Sequence, residues 1–224
     1  MESGLFPRTR GEIAPGAVHV PDWLDARAQR ELLDACRQWA RPPAGLRTVR
    51  TPGGGTMTAR QVCLGWHWYP YGYARTVVDG DGAPVKPFPS WLGELGRRAV
   101  TDALGAQAAR GAAYDIALVN FYDADARMGM HRDGDEEADA PVVSLSIGDT
   151  CVFRFGNTAT RTRPWRDVEL RSGDLFVFGG PSRLAYHGVP RVRAGTAPPE
   201  LGLTGRLNIT LRVGGLRPVP DCGS

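Results

Sequence analysis

Residues 114–148, YDIALVNFYDADARMGMHRDGDEEADAPVVSLSIG, hold two short apolar runs on either side of a polar segment. Further short β-rich runs follow, separated by glycine, proline and aspartate: CVFRFGN, DVELRSGDLFVFGG, LAYHGVP and RLNITLRV. Their length and their turn residues are typical of antiparallel strands. We therefore predict an α+β, mainly β chain whose second half forms an antiparallel sandwich or barrel.

Two helices are predicted in the first half of the chain. Residues 21–40 place apolar side chains at helical spacing, and either Asp22 or Asp25 can cap the start of this helix. A second helix is predicted from Ser90, as its N-cap, to a stop at Gly105. We expect both helices to pack on the outside of the β structure.

The segment between these helices shows no clean periodicity. Residues 42–89 are rich in glycine, proline, arginine and aromatic residues. The run WHWYPYGY at residues 66–73 concentrates aromatic side chains there. Such a composition predicts irregular hairpins and loops at the surface.

The composition is that of a single globular domain. The chain has 224 residues, 42% hydrophobic and 23% charged, which is enough for a full core without disulfides. Its apolar runs are shorter than the roughly 20 residues that cross a bilayer, and its first residues lack the apolar centre of a signal peptide. We therefore expect a cytoplasmic protein with no membrane partner, whose four scattered cysteines are reduced thiols. A net charge of +3 is too small to establish a polyanionic partner.

Three residues form a candidate metal site. His131 and Asp133 stand two residues apart, and side chains at i and i+2 of an extended strand share one face. His187 follows later, at the end of a predicted strand. Two histidines and a carboxylate on a β scaffold are the ligand set that holds non-haem Fe(II). A turn aspartate and a hydrogen-bonded core histidine remain an alternative interpretation of the same residues.

The last predicted strand, RLNITLRV at residues 206–213, alternates strictly between apolar and polar side chains. Arg206, Asn208, Thr210 and Arg212 therefore share one face. A strand whose polar face meets water is the simplest interpretation. If that face looks into a closed interior, the buried guanidinium groups require an anion, and a dicarboxylate supplies one at each end.

Taken together, these motifs resemble the bacterial AlkB family of Fe(II)/2-oxoglutarate-dependent nucleic-acid dealkylases. The resemblance rests on NFYDADARMGMHRDGDE, APVVSLSIGDTCVFRFG, LRSGDLFVFGGPSRLAYHGV and RLNITLR, and it extends upstream to RTVRTPGGGTMTARQVCLGWHWYPYGY. It covers about residues 45–213. It implies a double-stranded β-helix, or jelly roll, with N-terminal buttressing helices and a nucleotide-recognition lid.

The resemblance also implies the cofactor residues. His131, Asp133 and His187 match the iron ligands. Arg206 matches the arginine that pairs with the distal carboxylate of 2-oxoglutarate. The remaining contacts of this co-substrate are implied at Asn120, Tyr122, Asn208 and Arg212. Molecular oxygen is the third reactant of the family.

Substrate contacts follow from the same resemblance. The lid is implied at about residues 45–87, where aromatic side chains stack on the flipped base and hold the nucleic-acid backbone. The contacts are implied at Trp66, Tyr73, Asp135 and Arg161. Two departures from the family pattern affect this assignment: Arg75 stands where relatives carry a second aromatic residue, and the loop GNTATRTRPWR is one residue longer, so Arg163 is an alternative to Arg161.

The implied activity is direct-reversal DNA repair. Bases of the N1-methyladenine and N3-methylcytosine type would be demethylated oxidatively in single- or double-stranded DNA, with RNA as an open alternative. Decarboxylation of 2-oxoglutarate would accompany release of formaldehyde, succinate and CO2. Two other functions remain: an Fe(II)/2-oxoglutarate hydroxylase of a protein or small molecule, and a non-catalytic binder of alkylated nucleic acid.

The resemblance gives an expected layout of the chain. We expect one dioxygenase domain over residues 1–224 and a monomer. The helices and the lid would occupy about residues 1–110. The jelly-roll core would occupy about residues 113–213, followed by a tail at 214–224.

Overall fold

The chain folds mainly into antiparallel β structure in a computed structural model that describes residues 8–216. Its strands are β1 (Gly11–Ala14), β2 (Ala17–Val20), β3 (Arg47–Arg50), β4 (Thr56–Leu64), β5 (His67–Tyr69), β6 (Gly72–Ala74), β7 (Ile116–Tyr122), β8 (Met128–His131), β9 (Val142–Gly148), β10 (Thr150–Phe155), β11 (Arg166–Leu170), β12 (Leu175–Phe178), β13 (His187–Arg193) and β14 (Arg206–Arg212). The α-helices are α1 (Ala26–Trp39) and α2 (Ser90–Leu104). Part of the predicted tail, residues 217–224 with Cys222, lies outside the described residues.

Two sheets and one separate hairpin contain these strands. The larger sheet has the order β1-β2-β12-β9-β14-β7-β4-β3, and the smaller has the order β11-β10-β13-β8. The hairpin is β5-β6. The sheets pack face to face, as the rings of Phe153 on β10 and Phe176 on β12 show with centroids 4.9 Å apart. Two facing antiparallel sheets of this kind form a jelly roll, so the predicted fold is confirmed.

Strand β14 lies between β7 and β9, and its two faces meet different surroundings. Leu207, Ile209 and Leu211 belong to the core that the two helices share with the larger sheet. Arg206 and Arg212, on the opposite face, line a cavity between the sheets. The alternation in the sequence therefore separates a helix-covered face from a cavity face, and the strand does not turn its polar side to water.

Both predicted helices are present and cover the larger sheet. The Asp25 carboxylate accepts a hydrogen bond of 2.7 Å from the backbone amide of Ala28, so Asp25 caps α1. Gly105 ends α2 with a φ of 91°. The predicted N-cap at Ser90 is wrong, because Pro89 holds that position and gives no side-chain hydrogen bond. Neither described helix is long and apolar enough to cross a membrane.

The segment at residues 42–89 is more regular than its composition predicts. Strand β4 pairs with β7 along residues 60–64 and belongs to the larger sheet. Val62 and Leu64 are buried in the helix-covered core, so the prediction of a surface loop is wrong for this strand. Only the hairpin β5-β6 stands apart from the two sheets.

Asp174, just before β12, ties the N-terminal segment to the jelly roll. Its side chain is fully buried and accepts hydrogen bonds of 2.7 and 2.9 Å from the Arg8 guanidinium. His19 Nε2 lies 2.9 Å away, and the backbone amides of Asp22 and Arg171 donate as well. Burial alone would raise the pKa of Asp174, but hydrogen bonds from His19 and Arg8 lower it to about 2.

We expect Asp174→Asn to lower the free energy of unfolding by about 2 kcal/mol at pH 7, the equivalent of its pKa depression. Because the pKa is depressed in the folded state, this contribution is present above about pH 4 and is lost as the pH falls towards 2. Urea unfolding at several pH values measures both effects, with the exposed Asp139→Asn as the matched control. An equal loss of stability in both variants would contradict the prediction.

Candidate active site

A cavity of about 620 Å³ is lined by side chains from both sheets. Strands β8 and β13 of the smaller sheet bring His131 and His187 to one wall, and β7 and β14 of the larger sheet supply the opposite wall. All the predicted site residues line this cavity except Trp66 and Tyr73. The structure thus brings most of the predicted site into one place.

The metal-ligand candidates converge on one point. One ligand atom each from His131, Asp133 and His187 lies within 4.8 Å of the others. His131 and His187 are register partners on adjacent strands, whereas Asp133 follows the end of β8. The Nδ1 atoms of the two histidines lie 2.9 Å from the carbonyl oxygens of Gly129 and Ala185. These carbonyls favour protonation at Nδ1, so each Nε2 keeps a lone pair directed to the cavity.

The protonation states of these groups suit a cation. Burial is the main cause that lowers the pKa of His187 to about 4, and the neighbouring charge of His131 lowers it further. The His187 imidazole is therefore neutral at pH 7. Burial alone would raise the pKa of Asp133, but Arg212 and the two histidines lower it to about 2. A neutral imidazole and an ionised carboxylate are the forms that coordinate metals. The donor set therefore fits the facial triad of non-haem Fe(II).

Arg206 marks an anion site beside the triad. Its side chain is 1% exposed, and its closest acceptors are neutral: Ser146 Oγ at 3.0 Å and the Asp149 carbonyl oxygen at 3.5 Å. Its Nε has no hydrogen-bond partner, and the described residues offer it no carboxylate. A buried cation without a counter-charge is strongly unfavourable. This guanidinium therefore fits one carboxylate of a dicarboxylic acid such as 2-oxoglutarate.

The other predicted co-substrate contacts surround Arg206 on the larger sheet. Asn208 and Asn120 face each other across β14 and β7, and Tyr122 is the register partner of Arg206. The Asn120 side-chain oxygen accepts a hydrogen bond of 3.0 Å from Gln61, a buried residue of β4 that the sequence analysis did not single out. Gln61 also lines the cavity, so β4 contributes to the site as well as to the core.

Arg212 differs from Arg206 because its guanidinium is already paired. It donates to Asp133 Oδ1 at 2.6 Å and to Glu136 Oε1 at 2.8 Å. The Glu136 side chain is fully buried, accepts a hydrogen bond of 3.0 Å from Arg183 and also accepts one from the Tyr73 hydroxyl. Glu136 and Arg183 were missed, although the acid-rich DGDE and the FGGPSR turn were visible in the sequence. Arg212 thus orients an iron-ligand candidate, in addition to any contact with a co-substrate.

The structure places Trp68, and not the predicted Trp66, at the wall of the cavity. Trp66 is buried outside the cavity, with the Arg75 guanidinium 3.5 Å from its ring centroid. Trp68 lines the cavity instead, and its Nε1 donates a hydrogen bond of 2.8 Å to Asp135. The cause is a turn at Gly65, whose φ is 77° and where a Cβ would approach a backbone oxygen to 1.9 Å.

Tyr73 also lies outside the cavity. It packs against the small core around Trp66, and its hydroxyl bonds Glu136 behind the cavity wall. A hydroxyl engaged in this way does not contact a nucleic-acid backbone in this conformation. Arg161, by contrast, lines the cavity, and among the described residues the alternative Arg163 does not.

A buried polar cluster holds Trp68 in place. The Arg47 guanidinium donates a hydrogen bond of 2.6 Å to the Trp68 carbonyl oxygen and one of 2.8 Å to the Asp79 carboxylate. His67 is 1% exposed, and its Nε2 lies 2.7 Å from the same Asp79 carboxylate. The hairpin that carries Trp68 is therefore anchored to β3 by charge-assisted hydrogen bonds.

Comparisons with known proteins agree with this geometry. Residues 16–212 match the family model of the 2OG-Fe(II) oxygenase superfamily. An alpha-ketoglutarate-dependent dioxygenase AlkB homolog of Caulobacter vibrioides is 37% identical, over 89% of this chain and 88% of its own length. The DNA N(6)-methyladenine demethylase ALKBH1D of Arabidopsis thaliana is 32% identical over 89% of this chain.

The comparison with solved structures extends to the fold. The structure of OsALKBH1 matches with a TM-score of 0.79 and 32% identity, over 91% of this chain and 100% of that one. This chain spans only about half the length of the Arabidopsis relatives, at 50% and 49%. The family model and the bacterial relative, by contrast, cover most of the jelly roll and both of its sheets. The chain therefore belongs to the 2OG-Fe(II) oxygenase superfamily and, within it, to the AlkB family.

Proposed function

We propose that this chain is an Fe(II)- and 2-oxoglutarate-dependent dioxygenase that dealkylates nucleic-acid bases oxidatively. The observation that carries the proposal is a cavity that joins the His131, Asp133 and His187 triad to the guanidinium of Arg206, which has no carboxylate partner among the described residues. Trp68 borders the same cavity and offers a stacking surface. The names of the AlkB relatives support the activity.

The proposed roles follow from these positions. His131, Asp133 and His187 would hold iron, which supplies oxygen-activating chemistry when it is bound with 2-oxoglutarate. Arg206 would pair with the distal carboxylate of the co-substrate and so fix its orientation. Phe153 and Phe178 line the cavity and pack against the His187 ring, with centroids 5.7 and 5.0 Å away, which keeps that side dry.

The remaining cavity residues suit a cationic base. N1-methyladenine and N3-methylcytosine carry a positive charge, and Asp135 is a carboxylate at the cavity wall. Trp68 donates to one oxygen of this carboxylate and leaves the other available. A base extruded from its strand would recover about 1–3 kcal/mol by stacking on the Trp68 indole. Arg161 is proposed as a phosphate contact at the cavity opening.

A second substrate is favoured by the Arabidopsis relatives. They are named DNA N(6)-methyladenine demethylases, and this base is neutral. Asp135 can accept a hydrogen bond from its exocyclic amine as readily as it attracts a cation. Both bases therefore belong in the assay.

The remaining proposals concern context. We propose that residues 1–224 form one domain with a lid at about residues 45–87, and that the protein acts as a monomer in the cytoplasm. The buried free thiols Cys36, Cys63 and Cys151 suit a reducing compartment. Single-stranded DNA is the simplest substrate, because no base pair has to be opened. Double-stranded DNA and RNA are further candidates.

The proposal predicts that the Fe(II)-loaded protein removes a methyl group from a single-stranded oligonucleotide that carries one N1-methyladenine, N3-methylcytosine or N6-methyladenine. Mass spectrometry measures the loss of the methyl group, and formaldehyde is assayed in parallel. His131→Ala should abolish both signals because it removes one candidate iron ligand. Consumption of 2-oxoglutarate with every oligonucleotide unchanged would favour a hydroxylase of a protein or small molecule, and failure to bind iron would favour a non-catalytic binder.

A further inference from the structure

Arginine and aromatic side chains form a second group at the opening of the cavity. Arg132 and Arg161 lie 5.6 and 5.7 Å from the ring centroid of Tyr186, and all three residues line the cavity. Arg163 follows Arg161 in the loop between β10 and β11, and its guanidinium lies 5.4 Å from the ring centroid of Trp165. We call these residues the arginine–aromatic rim.

The arginines of the rim form no ion pair within the part of the chain that the structure describes. Arg132, Arg161 and Arg163 are all exposed. Arg154, which lies 4.6 Å from the Trp165 ring centroid, is bonded to Asp167 at 2.7 and 2.8 Å and serves as a fixed support. The free guanidinium groups are therefore available to an external anion.

The loop that carries the rim is held by its own hydrogen bonds. The Asn157 side chain accepts from the amides of Ala159 and Thr160, and donates to the carbonyl oxygens of Thr162 and Pro164. The Asn157 carbonyl oxygen also accepts from the backbone amide of Tyr186. This fixes the loop to the residue that precedes the metal-ligand candidate His187, so the rim is placed relative to the active site.

The dimensions of the rim suit a nucleic-acid strand. Arg161 and Trp165 stand four positions apart in the sequence, so their Cα atoms lie at most about 14 Å apart. That upper limit allows contact with at most about four nucleotides at the 3.4 Å spacing of a stacked strand. Guanidinium groups bind phosphates, and an indole ring stacks on bases of any sequence.

We propose that the arginine–aromatic rim binds the nucleotides that flank the target base in a single strand, with Arg132, Arg161 and Arg163 on the phosphates and Trp165 stacked on a neighbouring base. This inference rests on the proposed function for one point only, the identity of the bound strand, which is the strand whose target base enters the cavity. It joins the loop residues Arg163 and Trp165 to the cavity-lining Arg132, Arg161 and Tyr186 in one surface that recognises strand length rather than the alkylated base.

The test is the binding of fluorescein-labelled oligothymidine of about 15 nucleotides, within the usual site sizes of single-strand binders. Fluorescence anisotropy should show affinity falling about 10-fold in Trp165→Ala. Arg163→Ala should make the slope of log affinity against log salt shallower by about 0.7, the value for one phosphate contact on a single strand. Exposed residues on or after α2 give the matched controls, Trp91→Ala and Arg110→Ala, which should bind as the unchanged protein does.

A second arm compares the methylated mononucleotide, which has no flanking nucleotide, with a strand of about 15 nucleotides that carries the same methylated base. Demethylation of the mononucleotide should be unchanged in Trp165→Ala, while the KM for the longer strand rises. Equal losses on both substrates would overturn the proposal, because they would assign Trp165 to the target-base pocket. Oligothymidine affinity equal to that of the controls would also overturn it. Oligothymidine binding needs no turnover, so failure of the dealkylase activity would be recognised separately.

Discussion

Arg206→Met is expected to raise the Kd for 2-oxoglutarate by about 100-fold and, at the same time, to stabilise the protein without its co-substrate. A carboxylate paired with a buried guanidinium contributes several kcal/mol to binding, and 100-fold is at the lower end of that range. Arg206 is 1% exposed and meets only neutral acceptors within the described part of the chain. A methionine of similar length removes the uncompensated charge and fills the same volume.

The gain in stability distinguishes this site from an ordinary structural arginine. Removing an unpaired buried charge is expected to stabilise the fold by about 2 kcal/mol, which is roughly 4–8 °C in Tm. Calorimetric titration of 2-oxoglutarate into the Mn(II)-loaded protein measures the affinity, and thermal unfolding without metal measures the stability. The exposed Arg191→Met is the matched control and should change neither. Unchanged 2-oxoglutarate affinity in Arg206→Met would refute the assignment of the anion site.

Local patterns in the sequence predicted the parts of the site that lie on regular strands. The alternation in residues 206–213 correctly separated Arg206 from Ile209, because side chains of a strand alternate between two faces. The spacing of His131 and Asp133, together with the later His187, indicated a candidate metal site, even though the strand ends at His131. The residue pattern could not show that the polar face of β14 is enclosed, since that depends on the second sheet.

Other parts of the site depend on contacts between distant segments. The Trp66 and Trp68 positions depend on the turn at Gly65, which packs against the backbone of Asp115. No pattern within WHWYPYGY tells which indole reaches the cavity. Likewise, Glu136 meets Arg212 only because the loop after β8 folds over the end of β14, and an acidic run alone resembles a solvated turn.

Glu136→Gln is expected to weaken metal binding about 10-fold, although Glu136 is not itself a proposed ligand. In the folded protein, Arg183 and Arg212 balance the charges of Asp133 and Glu136. Glutamine keeps the shape of Glu136 but removes its negative charge, which leaves an excess positive charge beside the site of a dication. It also directs an amide donor towards guanidinium donors, so Arg212 loses part of the hydrogen bonding that orients Asp133.

Tyr73→Phe separates this electrostatic effect from the contact with the hairpin. The substitution removes the hydroxyl that bonds Glu136 and Arg212 but changes no charge, so metal affinity should stay within about 2-fold of the unchanged protein. Absorption titration with Co(II) measures metal affinity without turnover, and thermal unfolding should show that Glu136→Gln destabilises the fold by about 3 kcal/mol. The neighbouring exposed Glu137→Gln controls for the loss of a surface charge. If Tyr73→Phe weakened Co(II) binding as much as Glu136→Gln, the hairpin contact, and not the charge balance around Asp133, would control the metal site.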